Sequence, residues 1–150
     1  MQKMANTIRG IRFFKEDCSV VLKNKAQLRD WFINTSRAEG NRIKELNYIF
    51  CSDAYLLEMN QSYLNHDTYT DIITFDNSET DENVLGDVFI SIDRIKENAK
   101  NFDVTETDEL HRVMIHGLLH LLGYGDKSKT EKAKMTEKEN HYLALRSFVA

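Results

Sequence analysis

The chain has 150 residues, 41% of them hydrophobic, which suits one domain with a proper core and no need of disulfides. Its 20 basic and 24 acidic side chains leave a net charge of −4, without the high pI and clustered basic face of most nucleic-acid-binding domains. Local patches outweigh totals, so this balance argues against a basic coat and leaves a nucleic-acid substrate open. Cys18 and Cys51 are spaced for no zinc-binding pair and read as reduced, structural thiols. The N-terminus lacks the apolar run of a signal peptide, and no stretch approaches the roughly 18 apolar residues of a membrane span. Together these point to a soluble, cytoplasmic protein with no membrane partner, a single domain over residues 1–150.

In chain order, Ile11 to Phe14 reads as a short strand. Lys23 to Glu39 follows as a helix with Leu28, Trp31, Phe32 and Thr35 on one face and Gly40 at its C-terminal cap. Glu45 to Cys51 is rich in strand formers, and Ser52 or Asp53 can cap a helix reaching about Tyr63. Ile72 to Phe75 and Val84 to Ile92 predict two strands, close enough across the acidic segment Asp76 to Asn83 to pair as a hairpin. A helix over Ile92 to Phe102 leads to a strongly apolar one, Thr105 to Leu122, entered through a capping box of Thr105 and Asp108 and stopped by Gly123. The last helix, Lys129 to about Phe148, sets Met135, Tyr142, Leu145 and Val149 on one side. The expected fold class is α+β: a small twisted mixed sheet of about four strands with helices packed on it.

Chemistry concentrates at the end of the apolar helix. His116 and His120 are four apart, so both imidazoles leave the same face at neighbouring heights and can reach one metal ion at about 2.0–2.1 Å. Gly123 can reverse the chain and return Asp126 to the same point as a third ligand. The pattern H-x-x-x-H-x-x-G-x-x-D resembles the metzincin arrangement, and three ligands would leave one position open for water, as in catalytic zinc sites. Chance produces this pattern in a chain with five histidines on the order of one time in a thousand. Two unpartnered histidines inside an apolar helix would also be costly to bury. Gly117 stands where zincin peptidases carry the glutamate that serves as general base, which weakens a metalloprotease reading.

The segments HGLLHLLGYGD, YLNHDTYTDIITF and VLGDVFIS, spanning about Tyr63 to Asp126, resemble the YbeY family, bacterial endoribonucleases that act in ribosomal RNA maturation. The resemblance implies a minimal metzincin-like core with the metal site on a central helix. It also implies one zinc ion per chain held by His116, His120 and Asp126, which would act catalytically through the metal. The implied partners are precursor rRNA and the small ribosomal subunit, with a ribosomal protein as a further partner and no DNA. The implied activity is metal-dependent endoribonuclease action in 16S rRNA processing and ribosome assembly. The alternatives are a metal-stabilised ribosome-assembly factor without strong nuclease activity and, less favoured, a small metalloprotease.

The sequence departs from the family pattern at two positions. Most relatives place a third His where this chain has Asp126, after Tyr124 and Gly125. Asp is a competent zinc ligand at about 2.0–2.2 Å. Many relatives carry an arginine where this chain has Leu64, so the usual cation for a phosphate is missing. Arg112, one turn before His116, and Lys127, Lys129, Lys132 and Lys134 after the ligand loop are the remaining cations nearby, each more simply read as a surface or paired group. His66, His111 and His141 lack ligand spacing and read as structural or surface residues.

Overall fold

The computed structural model describes residues 10–64 and 70–149, with Tyr63 and Leu64 described by backbone alone. His66 lies outside the described residues, as does the side chain of Leu64.

Strands β1 (Gly10–Lys15), β2 (Arg42–Cys51), β3 (Ile72–Asp76) and β4 (Asn83–Ser91) form one sheet in the order β1-β2-β4-β3. β1 and β4 both run parallel to β2, while β3 pairs antiparallel with β4 as the expected hairpin partner. Helices α1 (Lys25–Ala38), α2 (Asp53–Leu64), α3 (Ile92–Phe102), α4 (Glu106–Leu121) and α5 (Lys129–Leu143) complete the described elements. The architecture is the α+β mixed sheet that the pattern of elements predicts.

The main core lies between the sheet and α1 and α4. Leu28, Phe32, Leu46, Tyr48, Met114 and Leu118 are all fully buried there. Each such side chain stabilises the fold by about 1.5–3 kcal/mol relative to exposure, so this layer sets the position of α4. Polar atoms inside it are paired. The Tyr48 hydroxyl donates to the Met114 carbonyl at 2.8 Å, and Trp31 Nε1 donates to the Tyr142 carbonyl at 2.9 Å. These two bonds tie α4 to the sheet and α1 to the end of α5.

Two glycines let α4 lie close to the strands. A Cβ on Gly117 would meet Val88 Cγ1 at 2.7 Å, and one on Gly86 of β4 would meet the Phe75 carbonyl oxygen at 2.6 Å and Leu121 at 3.0 Å. Both are closer than atoms approach in packed interiors, so at each point a side chain of one element rests on the bare backbone of the other, Val88 on Gly117 and Leu121 on Gly86.

Three local expectations change. β2 begins at Arg42, three residues earlier than its apolar run, because an irregularity between Ile43 and Glu45 lets polar residues continue the pairing with β4. At the start of α4, Thr105 Oγ1 accepts from the Asp108 amide at 3.0 Å, but the Asp108 carboxylate turns to Arg146 instead of completing a box. The complete capping box is at α5, where Ser128 and Glu131 exchange both bonds. The last helix stops at Leu143, short of Phe148, leaving Leu145 exposed while Met135 and Tyr142 are buried. Beyond it the chain turns so that Arg146 reaches Asp108 and His111, a tertiary demand that overrides the helical apolar period.

Candidate metal centre

α4 presents His116 and His120 from one face at its C-terminal end, their rings 5.0 Å apart and inclined at 77°. The helix closes at Leu122, and Gly123 (φ 107°) reverses the chain. Such a φ is open to glycine and strained for other residues. Three residues later Asp126 comes back over the helix end. Its Oδ2 lies 3.3 Å from His116 Nε2 and 3.2 Å from His120 Nε2. One donor atom from each of the three residues falls within 4.8 Å of the others. All three side chains are partly exposed, so the point they surround opens to solvent.

The donor set fits a divalent ion of borderline softness. Two imidazole nitrogens and one carboxylate oxygen are a zinc-type combination, and the ring separation lets both Nε2 atoms serve one centre. The tautomer fits as well. His116 Nδ1 is 2.6 Å from Glu139 Oε2 on α5, so the proton of a neutral ring belongs on Nδ1 and the lone pair on Nε2. Burial disfavours the charged ring, but the Glu139 bond and the nearby carboxylates outweigh it and raise the His116 pKa. At Asp126, bonds and charge from His120 and His116 outweigh burial and hold the carboxyl below its usual range, which favours the charged form a metal needs.

Glu139 is almost fully buried, and its other oxygen accepts from Arg112 Nη1 at 2.8 Å. Arg112 Nη2 donates in turn to Asn140 Oδ1 at 2.7 Å. Arg112 therefore acts as the cation that neutralises Glu139, in keeping with the simpler reading of it as a paired group. Lys127, Lys129, Lys132 and Lys134 are exposed along the start of α5, and none lines the cleft.

A second anchor holds the loop from behind. Glu39, just past α1, accepts from the Tyr124 hydroxyl at 2.7 Å, from Lys138 Nζ at 3.2 Å and from the Tyr142 hydroxyl. These bonds outweigh the cost of burial and lower the Glu39 pKa. Tyr124 stands between Gly123 and Gly125, so Glu39 fixes the loop that carries Asp126 against α5.

The donors lie in a cleft of about 420 Å³, between α3, β3, α4 and α5. Its walls add Asp71, Glu109, Thr70, Thr74, Asn98 and Phe102. Burial pushes the carboxyls of Asp71 and Glu109 up, so both hold a proton to higher pH than usual. Spacing on one helix reveals neither Glu139 nor Asp71, since each comes from a distant element. Gly117 faces the sheet, not this cleft, which places the position of the zincin base away from the metal donors. His111, on another face of α4, is buried beside Arg146 Nη1 at 2.8 Å, and His141 is exposed on α5. Neither reaches the cleft.

Comparison with known proteins gives this geometry a family. Residues 11–146 match the family described as Endoribonuclease YbeY. Among relatives of that name, one from Cytophaga hutchinsonii is 56% identical over 92% of this chain and 96% of its own length. Another, from Bacteroides thetaiotaomicron, is 50% identical over 81% of this chain and 88% of its own. A solution structure of a Thermotoga maritima protein superposes with a TM-score of 0.63 at 30% identity, covering 89% of this chain and 86% of that one. With both the sequence and the fold in agreement across nearly its whole length, the chain belongs to the YbeY endoribonuclease family.

Proposed function

We propose that the protein is a zinc-dependent endoribonuclease that cleaves precursor ribosomal RNA in the cytoplasm during maturation of the small ribosomal subunit, with a ribosomal protein as a further partner. The observation that carries the reading is the convergence of His116, His120 and Asp126 on one point at the floor of an open cleft, in a chain whose relatives are named endoribonucleases. The whole of residues 1–150 serves this one activity. Among the described residues no helix is long and apolar enough to cross a membrane.

His116, His120 and Asp126 would hold the ion. When bound there, zinc supplies Lewis acidity toward the phosphodiester and makes water a competent nucleophile at neutral pH. The remaining work falls to the chain itself. Glu139 retains the Nδ1 proton of His116 and thereby keeps Nε2 as a donor, while Arg112 holds Glu139 in place. Glu39 and Tyr124 fix the approach of Asp126. Asp71 faces the same cleft, where burial raises its carboxyl pKa, and in this reading it is the candidate proton-transfer group. No second fixed cation lines the cleft beside Arg112 among the described residues, so the metal carries most of the attraction for phosphate.

The test combines metal analysis with cleavage. Protein purified without chelator should contain about one zinc per chain and cleave single-stranded precursor rRNA, and His116→Ala should lose both while remaining folded. Cleavage that survives both chelation and His116→Ala would overturn the reading. Co-sedimentation with small-subunit precursors without metal-dependent cleavage would move the protein to the class of assembly factors.

A further inference from the structure

The cleft has an unusual wall. Around the metal donors it is acidic, with Asp71, Glu109 and Glu139 set against the single guanidinium of Arg112. Arg112 is already committed to Glu139 and Asn140. Such a surface grips a polyanion poorly by its backbone. Yet the same cleft is lined at the end of α3 by Phe102, a residue 63% exposed. Among the described residues no aromatic ring and no cation packs on it. Asn98 lies one helical turn earlier on the same side of α3 and lines the cleft too. A large apolar ring left in water contributes no burial to the fold. Here it stands beside a polar amide, in a cavity that also holds three metal-type donors.

We propose that Phe102 is a stacking platform for an unpaired nucleobase next to the scissile phosphate, with the Asn98 amide bonding the edge of that base. The inference rests on the RNA-cleaving reading above and names the residues that would position a base beside the metal-type donors. A volume of about 420 Å³ is on the scale of one or two nucleotides, and a base can stack on the ring only where it is unpaired, since duplex bases are already stacked and paired. Every base has a π face, so a single exposed ring selects for unpaired RNA without selecting a sequence. Asn supplies both a donor and an acceptor, which adds a modest preference among bases. Stacking also supplies affinity that salt does not screen, where the acidic walls leave little for backbone contacts to add.

The experiment compares Phe102→Ala, Phe102→Leu and Phe102→Trp in the zinc-loaded protein, using a short single-stranded oligoribonucleotide of mixed sequence and its perfect duplex. Phe102 is at the surface, so none of the three should disturb folding or zinc content. Phe102→Ala should raise KM for the single strand by about 5- to 100-fold with kcat little changed, and should leave the salt dependence of binding as it was. Phe102→Leu should behave like Ala, because bulk without a π face cannot stack, whereas Phe102→Trp should bind as well as wild type or better. The introduced indole should be quenched by the single strand and not by the duplex. Unchanged KM in Phe102→Ala, or a Leu variant as good as Trp, would overturn the stacking role while leaving RNA cleavage standing. The second of these results would mark the site as one for an apolar protein side chain. A wild-type protein that neither binds nor cleaves the single strand would remove both readings together.

Discussion

His111 and His116 sit five residues apart on α4, and the two faces they occupy set their imidazoles opposite tasks. His111 is packed between Trp31 and Phe148, with Arg146 at 2.8 Å from its Nδ1. Burial, aided by that positive charge, drives its pKa down to about 4, so the ring stays neutral across physiological pH. His116 meets Glu139 at 2.6 Å, with Asp126 and Asp71 also near, and its pKa is raised. A cationic neighbour turns one imidazole into a neutral packing element. An anionic neighbour leaves the other basic, with a fixed tautomer whose Nε2 lone pair faces Asp126. Position on the helix decides which partners are available, and the partners decide the chemistry.

The contrast can be broken most severely on the cleft side. His116→Ala together with His120→Ala should abolish zinc binding and lower cleavage by at least about 1,000-fold, read by elemental analysis and by single-turnover RNA cleavage. Asp126→His should keep metal, because it substitutes one good zinc ligand for another, whereas Asp126→Asn should weaken binding. A variant lacking both histidines that still carries stoichiometric zinc would show that the ion sits elsewhere.

The buried face should announce itself through pH. A histidine whose folded pKa lies below its unfolded value binds fewer protons when folded. Its neutral state therefore contributes full stability above the unfolded value of about 6.5, and that stability is lost as pH falls toward the folded value of about 4. Across that window the cost reaches about 3 kcal/mol. Denaturant unfolding of the chelator-treated protein should show this loss in wild type and much less of it in His111→Leu, with zinc content at neutral pH unchanged by the substitution. Equal acid sensitivity in the two proteins would mean that His111 is not the group responsible.

A smaller effect should follow from Glu139→Gln, which keeps a side chain of the same shape but removes the charge that backs His116. Zinc affinity should fall by about 10- to 100-fold, measured by competition with a chromophoric chelator. The melting temperature should respond to chelator near neutral pH and cease to respond in acid, since the ligands must be deprotonated to bind. The smallest effect belongs to the shared scaffold. Thr105→Ala removes the N-cap of α4 and should cost about 1 kcal/mol in urea unfolding without favouring either face.

How much of this was legible in the sequence depends on how far apart the interacting residues lie. His116, His120, Gly123 and Asp126 fall within eleven residues, so helix geometry and one turn suffice to bring them together. The strands and helices followed from periodicity for the same reason. Glu139 and Glu39 act on that site from 23 and 85 residues away along the chain, through His116 and Tyr124 respectively, and no local spacing encodes those contacts. The C-terminal helix ends at Leu143 although Leu145 continues its apolar period, because Arg146 interrupts that period by reaching back to α4. The capping box of α5 is written locally as well, since Ser128 and Glu131 stand three apart at the start of a helix, the usual signature.

The missing side chain at Gly117 bears on how one chemistry is separated from another. Zincin peptidases carry a glutamate directly after the first helical histidine. At this position a carboxylate would begin its path 2.7 Å from Val88 Cγ1, aimed into β4, with Ile72 at 3.0 Å beside it. Making room would mean displacing the Val88 and Ile72 side chains or shifting α4, which carries both histidines. The close contact beneath the metal-type donors therefore leaves no room for that glutamate unless the core beside it repacks. Neighbouring functions in sequence space can be far apart when the step between them passes through the core.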